Sequence, residues 1–104
     1  MTETTKRVDL SDGDWADIAL RPTHKQVAAV YAAYQTKKDE PAAYLDLMAD
    51  VILGLTVAWS VRAEDGTVLA LDREGIDAAP FDKSRTVFEA AIAVFNEVRL
   101  PGNG

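Results

Sequence analysis

The stretch Tyr44 to Val61, "YLDLMADVILGLTVAWSV", constrains this chain most, because so many apolar side chains in a row must be covered by something. A bilayer would cover them, but Asp46 and Asp50 interrupt the run, and a carboxylate near a bilayer centre is expensive. A membrane span is therefore excluded, and the run belongs to a protein core. Leu45, Met48, Ile52, Leu55 and Trp59 recur at steps of three and four, with Asp46 and Asp50 one turn apart away from that stripe. This period predicts a helix from about 42 to 59. A strand competes for its end, since Leu55, Val57, Trp59 and Val61 also alternate with Thr56, Ala58, Ser60 and Arg62. Gly66 would then turn that strand into a hairpin with "TVLAL". The helix is preferred because its pattern runs on from a segment whose helical character is plain.

The flanking segments supply partners for this core helix. "KRVDLSDGDWADIAL" reads as a β-hairpin: Val8 and Leu10 alternate, Asp12-Gly13 favours a tight turn, and Ile18 and Leu20 alternate on the second arm. Trp15 falls out of their phase, which predicts a bulge or an early end. A first helix follows, with Val27, Val30, Tyr31 and Tyr34 at helical spacing, Thr23 as N-cap and Pro41 preventing continuation. Beyond the acidic turn, "TVLAL" is short and extended, and Asp72 caps a helical turn across "REGIDA" that Pro80 ends. The last helix starts at Asp82 or Ser84 with Val87, Phe88, Ala91, Ile92, Phe95 and Val98 as its apolar face. The fold class expected is α+β, mainly α: an N-terminal β-hairpin, then a small bundle of about three helices with a short extended or turn segment before the last.

A chain of 104 residues can remove roughly two thirds of its unfolded surface from water, enough for one domain over 1–104. Disorder is expected only at 1–5 and 100–104, because 48% hydrophobic and 27% charged residues lie far from the composition of disordered chains. The chain has no cysteine, which rules out disulfides, thiolate metal sites and a cysteine nucleophile. The opening residues lack the apolar stretch of a secretory signal, so a cytosolic location is expected. A net charge of -6 with scattered Lys and Arg argues against nucleic acid, whose binding draws on clustered cations.

Chemistry is sparse. "DGDW" with Asp17 has the alternate carboxylates of a calcium loop, but Thr23 stands where the terminal bidentate glutamate would be, so a solvated turn is expected. His24 is the only histidine, at an exposed helix start with no nucleophile motif beside it. Asp46 and Asp50 share a helix face, which is more simply a wet face than a catalytic pair. Glu64, Asp65, Asp72, Glu74, Asp77 and Asp82 make the middle of the chain acidic and are read as solvating loops and caps. No catalytic, metal or cofactor site is expected, and no enzyme. Tyr31, Tyr34 and Tyr44 are the candidates for partner contact through their stiff amphipathic rings, with core packing the competing reading and the preferred one for Tyr31; core anchoring is assigned to Trp15, Trp59, Phe88 and Phe95.

The string "LMADVILGLTVAWSVRAEDGTVLALDREGIDAAP" resembles the tail assembly chaperones of long-tailed bacteriophages. The shared features are an apolar helix ending in Trp59, a polar link, the acidic pair Glu64 and Asp65 before Gly66, a Val-Leu-x-Leu-like segment, and a proline-bounded turn before a last amphipathic helix. "VDLSDGDWADIAL" followed by "RPT" is similar to the way such proteins begin, so the resemblance spans nearly the whole chain. It implies a non-enzymatic protein that binds the tape measure protein, with the tail tube protein as a second candidate partner, in the host cytoplasm and is absent from the finished particle. A longer form made by ribosomal frameshifting is a further implication of the family, and the apolar stripes along 27–34, 45–59 and 87–98 allow a homo-oligomer. The alternatives are a structural virion protein of neck or tail and a small acidic inhibitor of a nucleic-acid enzyme.

Overall fold

The computed structural model describes residues 4–37 and 39–97, and their order of elements is β1 (Thr5–Asp9), β2 (Trp15–Ala19), α1 (His24–Lys37), α2 (Tyr44–Leu55), β3 (Thr56–Trp59), α3 (Arg73–Ala78) and α4 (Phe81–Glu97). Short 3-10 turns at Ser11–Gly13 and Pro41–Ala43 join β1 to β2 and α1 to α2. The architecture is α+β and mainly α: a three-stranded antiparallel sheet in the order β1-β2-β3, backed by helices. The expected disorder at 1–5 and 100–104 lies outside the described residues except at Thr4 and Thr5, where Thr5 opens β1.

The hairpin forms where Asp12 and Gly13 both take left-handed backbone, at φ 60° and 80°, a conformation that Asp tolerates and Gly adopts freely. Register pairs Val8 with Ala16 and Lys6 with Ile18, and puts Ala16 and Ile18 fully in the core. On the opposite sheet face Arg7 lies 3.9 Å over the Trp15 ring and makes hydrogen bonds of 2.9 and 3.2 Å to Asp17. Trp15 is thus half-buried under an arginine and does not anchor the core as expected. The out-of-phase tryptophan starts β2, and the irregularity it signalled lies further on, as a register shift between Asp17 and Ile18 against β3.

The helix expected to run to residue 59 stops short of it. α2 ends at Leu55, and Thr56–Trp59 form the third strand, pairing Thr56 with Ile18, Ala58 with Asp17 and Trp59 with Ala16. Local preference explains the change: Gly54 weakens the last helical turn, the β-branched Thr56 and Val57 favour extended backbone, and β2 offers an unpaired edge. The bulge also breaks the simple alternation, so that Val57 is exposed while Thr56, Trp59 and Val61 are buried. The hairpin around Gly66 then forms, with Ala63 N donating to Thr67 O at 2.8 Å and Leu69 N to Val61 O at 3.0 Å.

α2 lies between α1 and α4 and supplies most of the core through Leu47, Met48, Val51, Ile52 and Leu55. Each such side chain contributes about 1.5–3 kcal/mol by leaving water. α4 meets it with Val87, Phe88, Ala91 and Val94 and also packs on β2, while Ile92 and Phe95 are only partly buried against the core. Val98, the expected end of that stripe, lies outside the described residues. α1 is capped by a reciprocal pair: Thr23 Oγ1 accepts from Gln26 N, and Thr23 N donates to Gln26 Oε1 at 2.7 Å. Of its apolar face only Val30 is buried, because α1 packs chiefly on α2.

Asp72 caps α3 as its position suggested, its Oδ1 accepting from Gly75 N at 2.7 Å. Gly75 is buried, and a Cβ there would overlap the carbonyl oxygen of Ala70. Gly75→Ala is expected to destabilise the protein by about 2 kcal/mol or more by forcing α3 away from the preceding loop, measured by urea unfolding; a loss under about 0.5 kcal/mol would contradict this packing.

Candidate functional site

Two features stand apart from ordinary core and surface: a buried charge cluster under the N-terminal turn, and an apolar groove between α2 and α4.

The charge cluster is built by three chain segments. Asp14 follows the left-handed turn and is 2% exposed. Its Oδ2 accepts from Lys83 Nζ at 2.7 Å and from the backbone N of Arg62 at 3.0 Å, while its Oδ1 accepts from Arg62 Nε at 2.8 Å. Arg62 also donates to Asp12 O at 2.7 Å, Lys83 Nζ lies 3.4 Å from the Asp12 carboxylate, and Ser11 Oγ donates to Asp82 at 3.0 Å. Burial by itself would raise the Asp14 pKa, but the hydrogen bonds from Lys83 and Arg62 outweigh it and hold the carboxyl at about 2. Lys83 is raised in turn, chiefly by its hydrogen bond to Asp14 against the opposing effect of burial. With both carboxylate oxygens of Asp14 accepting from this chain's own donors, the cluster clamps the N-terminal turn to the β3 exit and to the start of α4. Its chemistry is structural. The expectation of a solvated turn at "DGDW" holds for the exposed Asp12 and fails for Asp14, whose partner Lys83 carries no mark in the sequence. A carboxylate next to a Trp, with a lysine at the third position after Pro80, is too common a pattern to announce itself.

The carboxylates singled out from sequence are also held by this chain's own cations. Asp46 and Asp50 flank Arg73, which bonds Asp46 directly and approaches Asp50 at 4.0 Å and Asp77 at 3.6 Å, and Lys37 bonds Asp50 as well. These pairs tie α1 and α3 to α2. Among the described residues no group of three or more His, Asp or Glu side chains could hold a metal ion. His24 is exposed at the first position of α1.

The groove runs along the junction of α2 and the start of α4. Leu45, expected in the core stripe, is 62% exposed, and beside it Tyr44 is 49% and Phe81 57% exposed. Tyr44 meets Phe88 edge-on, with ring centroids 6.1 Å apart and planes at 74°. Two cavities open here, sharing Met48 and Phe81 as a common wall. One, of about 220 Å³, is lined by Leu45, Ala49, Ile52 and Ile76; the other, of about 410 Å³, by Tyr44, Phe88, Arg85 and Glu89. Large apolar side chains gathered at the surface in this way mark contact sites more often than scattered ones do.

Of the three tyrosines assigned to partner contact, Tyr44 lies in this groove, whereas Tyr31 and Tyr34 are exposed on α1. Of the assigned anchors, Trp59 and Phe88 are buried, and Trp59 Nε1 donates to Leu69 O at 2.9 Å. Leu45 and Phe81 were missed as surface residues; Leu45 fits the helical stripe, and only the placement of α3 and α4 leaves it uncovered. No helix among the described residues is long and apolar enough to cross a membrane. Comparison with family models, with curated proteins and with solved structures gave no match.

Proposed function

We propose that this chain is a non-catalytic assembly chaperone of a long-tailed bacteriophage, which covers apolar helical surface of the tape measure protein while the tail tube protein assembles around it. The observation that carries this reading is the groove, where Tyr44, Leu45 and Phe81 stand exposed over the buried Met48. Exposed apolar residues lower solubility unless something covers them, and an amphipathic helix laid into a groove between two helices is a recurring solution. The net charge of -6 keeps such a protein dispersed when crowded and repels acidic competitors. The sequence resemblance gives the partner its identity. The work takes place in the host cytoplasm, and the protein is absent from the mature particle.

The test is coexpression with the tape measure protein of the same genome. The expected outcome is that the tape measure protein becomes soluble and copurifies with this chain, at salt high enough to remove purely ionic contacts. Failure to bind it would remove the proposal, and recovery of this chain from purified mature particles by mass spectrometry would favour a structural virion protein.

A further inference from the structure

The two cavities of the groove differ in chemistry, and that difference specifies what kind of helix fits. The smaller is walled by aliphatic side chains, among them Leu45, Met48 and Ile52, and suits an aliphatic anchor. The larger is walled by three aromatic residues, Tyr44, Phe81 and Phe88, with the carboxylate of Glu89 at its rim. Aromatic rings present negative faces and positive edges, so a cluster of them beside a carboxylate attracts a cation. Arg85 shares that rim and lies 3.7 Å from Glu89, an exposed i,i+4 pair that contributes little and breaks readily.

We propose that the larger cavity is an aromatic cage for a lysine or arginine side chain of a partner helix, and that the smaller takes an aliphatic residue of the same helix one turn away. The cavities lie side by side on a shared wall of Met48 and Phe81, which suits side chains three or four residues apart, about 5–6 Å between their Cβ atoms. Asp77 on the smaller cavity, Glu89 on the larger and the overall charge of -6 favour a partner whose polar flank is cationic. Arg85 is the incoming group's competitor: it must release Glu89 when the partner's cation arrives. This inference rests on the groove being the partner site, and it specifies the recognition chemistry beyond that reading.

The probes are alanine-rich helical peptides of about 16 residues, long enough to hold a helix, carrying one leucine and, four residues on, one arginine. Binding is measured by fluorescence anisotropy on the full chain. Replacing the arginine by norleucine is expected to weaken binding about fivefold, the scale of a partly desolvated cation over aromatic rings. Replacing the leucine by alanine is expected to cost about 30-fold, as for a buried anchor. Tyr44→Leu keeps the groove apolar and should abolish the preference for arginine over norleucine while leaving the leucine dependence. Glu89→Gln should weaken the arginine peptide alone. Arg85→Ala should strengthen it by removing the competitor, and weakening by that variant would reveal an acidic partner group and overturn the cage. Equal binding of the arginine and norleucine peptides would overturn it as well.

The competing occupant is α1 of a second copy, since residues 21–38 carry four basic side chains and no acidic ones. If the protein self-associates in sedimentation, and Phe81→Asp and Lys25→Glu each abolish that association, the groove belongs to a second copy and the proposal falls. Should Phe81→Asp abolish rescue of the tape measure protein while the peptides show no arginine preference, the chaperone reading stands and the cage falls. Arginine preference without any rescue retains the cage and removes the chaperone reading.

Discussion

Replacing Asp14 by alanine is expected to lower the unfolding free energy by about 3–5 kcal/mol, the cost of removing one partner from a buried ion pair and leaving the other uncompensated. For a chain of this size that corresponds to a fall in Tm of about 15 °C or more. The reason is local and complete: Asp14 accepts from Lys83 Nζ, Arg62 Nε and Arg62 N, and the side chain of Lys83 is 5% exposed, so water cannot easily replace the carboxylate. The acid limb of stability should carry the same signature. The folded carboxyl takes up a proton only near pH 2, whereas the unfolded one does so at its ordinary value of 3.8. Between those values the unfolded state binds more protons, so this contribution is full above about pH 4 and is lost as pH falls toward 2. Lys83, held above its ordinary 10.5, gives the opposite limb: its contribution is full below 10.5 and declines as pH rises beyond it. Urea unfolding of the parent and Asp14→Asn between pH 2 and 6 should show the acid limb in the parent and a flatter one in the variant. A variant as stable as the parent across that range would remove the clamp from the account.

The second large effect concerns binding and should leave stability almost untouched. Leu45→Asp and Phe81→Asp introduce a charge where the side chains are 62% and 57% exposed, so each should unfold within about 0.5 kcal/mol of the parent. In a complex Leu45→Asp would bury a carboxylate among aliphatic side chains and Phe81→Asp would remove the wall common to both cavities, a loss of about 2 kcal/mol or more for an anchor of this kind, or about 30-fold in affinity for each substitution. The double variant should fail to keep the tape measure protein soluble while remaining folded by circular dichroism. Retained rescue by a folded double variant would move the binding site away from the groove.

The sequence made the fold legible wherever one period dominated. α4 shows its apolar stripe from Val87 to Phe95 without interruption, and Asp72 and Thr23 stand where caps belong, so these elements were readable from local chemistry alone. Residues 56–59 were not, because their apolar spacing satisfies both a helix and a strand. The pairing with β2 that decides between them is a long-range contact, and a bulge hides its alternation. The clamp was illegible for a similar reason: Asp14 and Lys83 are 69 residues apart, and nothing in either neighbourhood marks one as the other's partner. The groove was legible by half. Tyr44 stood out as an aromatic residue at a helix start, but Leu45 and Phe81 have the composition of core residues, and their exposure follows from where α3 and α4 come to rest.

Hydrogen exchange of this chain, free and in the copurified complex with the tape measure protein, tests the central claim most directly. The groove reading predicts slowed exchange confined to two backbone segments, Tyr44 to Met48 at the start of α2 and Phe81 to Glu89 at the start of α4, with α1 unchanged. Protection confined to α1 around Tyr31 and Tyr34, with the groove segments exchanging as in the free protein, would contradict it.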